Sequence, residues 1–462
     1  MSWAIADASD IDDASIEPVV YDAQLVSPLL SARRIPQSLQ APIAFDAIQP
    51  AIDAVLRGST PDSCLIVSVE GRILGQQNPA VGLVPASNEK LVTTYVALQV
   101  LGAEARFTTK VETPTPPVAG VIDGNLFLIG GGDPFLSTDD WWAQYDDTNG
   151  RAHTRLEALA DAVVAAGVTQ VTGNVVGDES YFDQIRTGEW AQRLIDSNQS
   201  GPLTALAVNQ GYAQWPAVYE GSFRPRVAAS DPALHATQVF AALLADRGVT
   251  VGGTSVGIAP VGSTSIATIE SPPVLDLITH VNSYSDNYGA EILLKHLGRQ
   301  ASGVGSTAAG ASAVTAFLQQ NGFPMTGVSI VDGSGLAETQ TLTCGLLSAV
   351  LAAAGPDSAF AESLSIGGER GSLVNRHVGT PADGNVFAKT GTLNDVTALS
   401  GFVDSVVDDG TSVIFAYIVN GELAGQDQTI RALQEPFVEQ LAEYPQAPST
   451  EDLDPLPSLA LD

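Results

Sequence analysis

A chain of 462 residues with 45% hydrophobic and 16% charged residues has globular composition and is long enough for a core domain plus at least one further module. Its 20 Lys and Arg stand against 52 Asp and Glu, and the resulting net charge of −32 repels nucleic-acid phosphates and anionic lipid headgroups, which argues against nucleic-acid binding. No apolar run approaches the roughly 18 residues needed to cross a bilayer, so no transmembrane segment is expected, and the acidity reads as solubility in an extracellular or salty setting.

At the amino end, Met1-Ser2-Trp3-Ala4 lacks the basic and apolar regions of a secretory signal. The chemistry argued below favours a signal or anchor already removed over a cytosolic protein. Residues 1–25, with Asp7, Asp10, Asp12, Asp13 and Glu17 and few large apolar residues, are expected to be a disordered acidic linker. From Cys64 the run CLIVSVEGRILG alternates apolar and polar residues up to a turn glycine, a strand opening a hairpin. Pro85-Ala86-Ser87-Asn88-Glu89-Lys90 follows, and then Leu91, Tyr95, Leu98 and Leu101 at helical spacing closed by Gly102, so Ser87 falls near a helix start.

Between Phe107 and Ser271 the character changes to short β-branched runs (Val121–Ile129, Val171–Val176), a helix over Leu156–Ala166 and several glycine turns. Beyond it, Pro272–Leu297 reads as helix with Gly298 at its end, and Val328–Val331 and Val413–Val419 read as strands. The expected organisation is a core from 26–107 and 272–443, inserted domains over 108–271 and a disordered tail over 444–462. Cys64 and Cys344 are the only cysteines, so one pairing is possible. In an exported protein that favours a disulfide; the alternative is two buried small hydrophobes.

Three short segments carry chemistry. Ser87-x-x-Lys90 puts a hydroxyl and an amine on one helical face, since residues three apart are neighbours there. A helix start also offers free backbone N–H groups to a developing oxyanion. A serine hydroxyl is a weak nucleophile until a base takes its proton, and a desolvated lysine has the lowered pKa that this needs. Ser285-Asp286-Asn287 and Lys389-Thr390-Gly391 match the S-x-N and K-T-G elements of the serine acyl-transferases that include penicillin-binding proteins and class A β-lactamases. Each alone is a weak signal; their joint occurrence in this order is far more specific.

About 195 residues separate Lys90 from Ser285 and about 102 separate Asn287 from Lys389, so extra domains are expected between the first two motifs. This pattern resembles the class C low-molecular-mass penicillin-binding proteins, the DacB-type D-alanyl-D-alanine carboxypeptidase/endopeptidase family. The resemblance includes PASNEKLVTTYVAL, LFLIGGGDPFLS, VVGDESYFD, SDNYGAEILLKHLG, VDGSGLAETQTLTCGLL and GTPADGNVFAKTGTLNDVTALSGFV and covers roughly Val26 to Gln440. It implies an α/β penicillin-binding core, β-lactamase-like, with two smaller domains inserted between the S-x-x-K and S-x-N motifs. It also implies hydrolysis of peptidoglycan stem peptides ending in D-Ala-D-Ala, or of D-amino-acid cross-links, through an acyl-serine, outside the cytoplasm and without a cofactor, with β-lactams as covalent inhibitors.

By the same resemblance, Ser87 attacks, Lys90 is the base, Ser285 relays the proton to the leaving amine and Asn287 orients Lys90 and the substrate amide. Lys389 supplies positive charge, Thr390 binds the substrate's carboxylate, and the backbone N–H groups of Ser87 and Thr392, beyond Gly391, form the oxyanion hole. Asp178 and Tyr181 are candidate contacts on an inserted-domain wall. After Asp332-Gly333-Ser334-Gly335-Leu336 the family continues with Ser and Arg, the Arg being linked to a diaminopimelate carboxylate, whereas here Ala337 and Glu338 follow. A glutamate there repels that carboxylate and favours an amidated diaminopimelate or a diamine without that carboxylate; alternatively Glu338 is a solvated loop charge.

The five histidines, His153, His235, His280, His296 and His377, have no metal-ligand spacing such as H-E-x-x-H, and Gly130-Gly131-Gly132-Asp133 lacks the lysine of a phosphate loop. Two competing functions stand beside the peptidase. A β-lactamase needs a deacylating glutamate that no segment supplies, and a non-catalytic penicillin-binding module would be free to lose Ser87, Lys90 or Lys389, all present.

Overall fold

The computed structural model describes residues 37–145, 148–216, 226–408, 410–422 and 427–445. The expected linker over 1–25 lies outside them, as does the expected tail beyond its first two residues.

Ser412–Asn420 is apolar on both faces of the strand, and a period of two then demands a core on each side. Val413, Phe415, Tyr417 and Val419 pack with Leu65, Val67, Leu399 and Val403 beneath the helices Gln37–Gly58 and Asp427–Ala442. Ile414, Ala416 and Ile418 face the other way, onto Leu91, Val92 and Val96 of the helix Glu89–Leu101 and Leu346, Leu347 and Val350 of the helix Cys344–Ala354. The sheet around this strand is antiparallel throughout, in the order Ser365–Ile366, Val386–Leu393, Val396–Asp404, Ser412–Asn420, Ser63–Val69, Arg72–Gln77. The first and last parts of the chain therefore meet in one sheet. Cys64 on Ser63–Val69 is bonded to Cys344 at the helix start, both fully buried, with Cα atoms 5.8 Å apart.

Residues 108–270 form a second, mixed sheet in the order Thr250–Val256, Gln170–Asp178, Leu126–Ile129, Thr108–Thr113, Thr264–Glu270. Its parallel pairs need crossovers. The helices Leu156–Ala165 and Pro232–Asp246 supply them, burying Leu159, Val163, Phe240 and Leu244 against Val111, Leu128 and Val175. The first and last strands of the segment pair with each other. Just outside them, the Phe107 N–H donates to Ser271 Oγ and the Ser271 N–H to the Phe107 carbonyl, so the chain leaves and re-enters the first layer at one point.

Three local expectations are corrected. Pro272–Leu297 is not one helix but two, Val274–Tyr284 and Asn287–Ser302, broken at Ser285, whose φ of 56° is left-handed. Gly298 does not end the second, which runs to Ser302 and is closed by left-handed Gly303. A Cβ on Gly298 would come within 2.6 Å of the Gly310 nitrogen, so this glycine admits the neighbouring helix Thr307–Gln320. Val328–Val331 forms only a single bridge, Ser329 to Thr341, because the Val331 and Asp332 N–H groups donate to the Gln340 side chain instead of a strand.

Candidate active site

Ser87 sits in a single tight turn, Ala86–Asn88, at the head of the helix Glu89–Leu101. Ala86 is held at φ 48°, a costly conformation for a residue with a Cβ. Gly335, at φ 82°, crosses so close that a Cβ there would lie 1.9 Å from the Ala86 carbonyl oxygen. Lys90 is wholly buried, and its Nζ donates to Ser87 Oγ at 2.9 Å, Asn287 Oδ1 at 2.7 Å and the Ser334 carbonyl at 2.6 Å. Burial lowers this ammonium to about 8, against the opposing pull of the Asp332, Asp286, Glu291 and Glu89 carboxylates.

The break at Ser285 places the second element. Asp286 caps the helix Asn287–Ser302, accepting from the Gly289 N–H at 2.6 Å, and its other oxygen accepts from Gln210 Nε2 at 2.7 Å. With the cap fixed, Asn287 Oδ1 reaches Lys90 while its Nδ2 donates to the Gln199 carbonyl at 2.7 Å. Ser285 Oγ accepts from Lys389 Nζ at 2.9 Å.

Lys389, Thr390, Gly391 and Thr392 lie on Val386–Leu393, in register with Ser400, Leu399, Ala398 and Thr397. A Cβ on Gly391 would meet Asn88 Nδ2 and the Pro85 carbonyl, each at 2.9 Å, so glycine is what lets this strand touch the Ser87 turn. Asn88 Nδ2 donates to the Lys389 carbonyl at 3.2 Å across that contact. Lys389 is fully buried, and burial, then the charge of Lys90, holds its ammonium well below the lysine range. Thr390 Oγ1 donates to Ser372 Oγ at 2.8 Å.

Below the lysines lies a floor of buried acid that the motifs do not announce. Glu291 Oε1 accepts from the Gly333 and Ser334 N–H groups at 3.1 and 2.9 Å, and so fixes the Ser334 carbonyl on which Lys90 rests. Asp332 accepts from Gly335 N, Ala337 N and Trp190 Nε1. Burial raises Glu89 well above the carboxylate range, raises Glu291 to about 8 and also raises Asp332. Glu291 stands one helical turn beyond Asn287 and Glu89 next to Lys90, which is the only sequence signal for either.

The remaining candidates lie apart. Asp178 accepts from the Ser180 and Ala259 N–H groups at 2.9 and 2.7 Å, and Tyr181 lies under the Arg299 guanidinium at 4.0 Å; both line a different cleft. Glu338 is exposed and ion-paired with Arg193, which is also exposed. His280 accepts from the Ala152 N–H and stacks on Phe135, and His296 bonds the Gly132 carbonyl and stacks on Phe107. Among the described residues, no group of three His, Cys, Asp or Glu side chains could hold a metal ion, and no helix is long and apolar enough to cross a membrane.

The D-Ala-D-Ala carboxypeptidase 3 (S13) family profile matches residues 64–223 and 217–444. A carboxypeptidase DacB of Mycolicibacterium smegmatis is 30% identical over 424 residues, spanning 88% of this chain and 84% of the relative. A D-alanyl-D-alanine carboxypeptidase of Actinomadura sp. (strain R39) is 28% identical over 467 residues, spanning 85% and 83%. The crystal structure of penicillin binding protein 4 (dacB) from Haemophilus influenzae shares the fold, with a TM-score of 0.71, 21% identity and coverage of 84% of this chain and 99% of that one. The chain belongs to the D-Ala-D-Ala carboxypeptidase 3 (S13) family and is a hydrolase of that serine carboxypeptidase class.

Proposed function

We propose that the protein hydrolyses the D-Ala-D-Ala bond of peptidoglycan peptides, and D-amino-acid cross-links, through an acyl-Ser87 intermediate, outside the cytoplasm. The observation that carries this is the pair of amine–hydroxyl contacts in one buried site, Lys90 on Ser87 and Lys389 on Ser285, with Asn287 Oδ1 also accepting from Lys90. Neutral Lys90 takes the Ser87 proton as Oγ attacks the penultimate D-Ala carbonyl; the backbone N–H groups of Ser87 and Thr392 receive the oxyanion. The C–N bond then breaks, and the proton reaches the leaving amine by way of Ser285. Water releases the acyl group, with Lys90 again as base. The terminal carboxylate of the substrate meets Lys389 and Thr390, and its charge favours the ammonium form of a lysine that burial otherwise disfavours. A β-lactam would acylate Ser87 by the same attack; one of the solved relatives of this fold is a complex with a β-lactam.

Intact-protein mass spectrometry after incubation with defined muropeptides or penicillin tests this. The expected result is a mass increment on Ser87 in the wild type and none in Ser87→Ala, with loss of terminal D-Ala from the peptide. Rapid penicillin turnover would favour a β-lactamase, and an unlabelled wild type a non-catalytic module.

A further inference from the structure

Apart from the catalytic site, the described residues enclose a cleft of about 510 Å³ where the second sheet meets the helix Asn287–Ser302. Arg106, Lys110 and Arg299 all line it. This convergence runs against the composition, since basic residues number 20 and acidic ones 52. Among the described residues, none of the three has a carboxylate within ion-pair distance. Arg106 gives one N–H to the Ser271 carbonyl, and Arg299 donates from Nη1 to the Tyr181 carbonyl. The guanidinium groups retain donors beyond these. Two acids share the lining, Glu112 and Asp178, the latter accepting two backbone N–H groups, so three cations face two carboxylates.

Polar Thr108 and Ser180 share the lining with apolar Phe107, Ile129, Ile258 and Val261. Ile258 is 75% exposed and Val261 is fully exposed on one lip, and the Tyr181 ring lies on the other side. Arg299 stands twelve residues beyond Asn287 on one helix, which is about 18 Å at 1.5 Å per residue. A dipeptide terminus held at Ser87 cannot span that distance, since each extended residue adds at most about 3.6 Å. A polymer can.

We propose that this cleft is a second peptidoglycan subsite, which holds a carboxylate-bearing segment of the polymer remote from the bond being cut. The proposal rests on the peptidase reading above. An isolated carboxylate beside an aliphatic or sugar surface suits three cations next to exposed apolar side chains. A long phosphate polymer, with a charge on every repeat, would need more cations than the three that line this cleft.

The test is the double variant Arg106→Gln/Lys110→Gln, whose side chains are exposed and whose thermal melting should match the wild type. Penicillin acylation of Ser87 and hydrolysis of a short peptide ending in D-Ala-D-Ala should change less than twofold. On soluble peptidoglycan oligomers stripped of phosphate polymers, kcat/KM should fall roughly fivefold or more, and added salt should weaken the wild type but not the variant. Oligomers amidated only at carboxylates remote from the cut bond, with the terminal D-Ala carboxylate left free, should impose the same loss on the wild type. Equal effects on short and polymeric substrates would overturn the proposal, as would a loss confined to wall preparations that retain phosphate polymers. A wild type inactive on the short peptide would sink the peptidase reading instead.

Discussion

The sharpest consequence of the site is a pH profile. An ordinary lysine near 10.5 is neutral in only about 0.03% of molecules at pH 7, whereas Lys90, lowered by burial to about 8, is neutral in roughly 9%. The lowered value therefore makes a few hundred times more base available, on the order of 3 kcal/mol. Because the neutral form is the active one, acylation should rise with pH. The expected gain is nearly tenfold from pH 6 to 7, about fivefold from 7 to 8, and a plateau near pH 9. Stopped-flow acylation with a fluorescent penicillin measures this, with near-ultraviolet circular dichroism as a check on the fold. Two other groups could titrate nearby, so two variants locate the limb. Glu291, raised by burial to about 8, is replaced by Gln, which keeps an oxygen for the Gly333 and Ser334 N–H groups; Lys389, also depressed by burial, is replaced by Ala. Both variants should keep the rising limb at altered rate, and Lys90→Ala should lose it together with about three orders of magnitude in rate. A flat profile between pH 6 and 9, or a limb that vanishes in Glu291→Gln, would refute Lys90 as base.

Two other outcomes are expected. Protein denatured without reductant should titrate no free thiol, and Cys64→Ala/Cys344→Ala should lose up to about 5 kcal/mol in denaturant unfolding, since the bond closes a loop of 280 residues. Glu338→Arg replaces an exposed ion pair with Arg193 by two adjacent cations, so a preference for amidated over free-acid diaminopimelate peptides should narrow in kcat/KM, and equal rates on both substrates unchanged by the substitution would show that Glu338 is only a solvated loop acid.

The reactive groups were legible because their chemistry forces local patterns. Ser87 and Lys90 must share a helical face, and the run Leu91, Tyr95, Leu98 and Leu101, ended by Gly102, marks that helix. Asn287 and Ser285 were legible as a motif but not as a geometry. Pro272–Leu297 has helical periodicity throughout, and nothing in hydrophobic spacing reveals that Ser285 ends one helix and Asp286 caps the next. Yet that break is what sends the Ser285 hydroxyl to Lys389 and the Asn287 amide to Lys90. The second sheet was harder still, because its parallel pairs join strands separated by whole helices, and pairing at that range leaves no local trace beyond β-branched runs.

What the motifs could not show is how a lysine with four carboxylates around it comes to have a lowered pKa. Coulombic attraction from Asp332, Asp286, Glu291 and Glu89 stabilises the ammonium, and taken alone it would push Lys90 upward. Burial reverses the sign, and it does so twice. It penalises the charged amine directly, and it raises Glu89, Glu291 and Asp332, so that acids counted as anions in the sequence are held toward their neutral forms in the fold. The Glu291 carboxyl can accept the Gly333 and Ser334 N–H groups in either state, so the loop that positions the Ser334 carbonyl under Lys90 does not depend on a full negative charge there. Sequence places Glu89 beside Lys90 and Glu291 one turn from Asn287, but the burial that holds these carboxyls toward their neutral forms belongs to the fold.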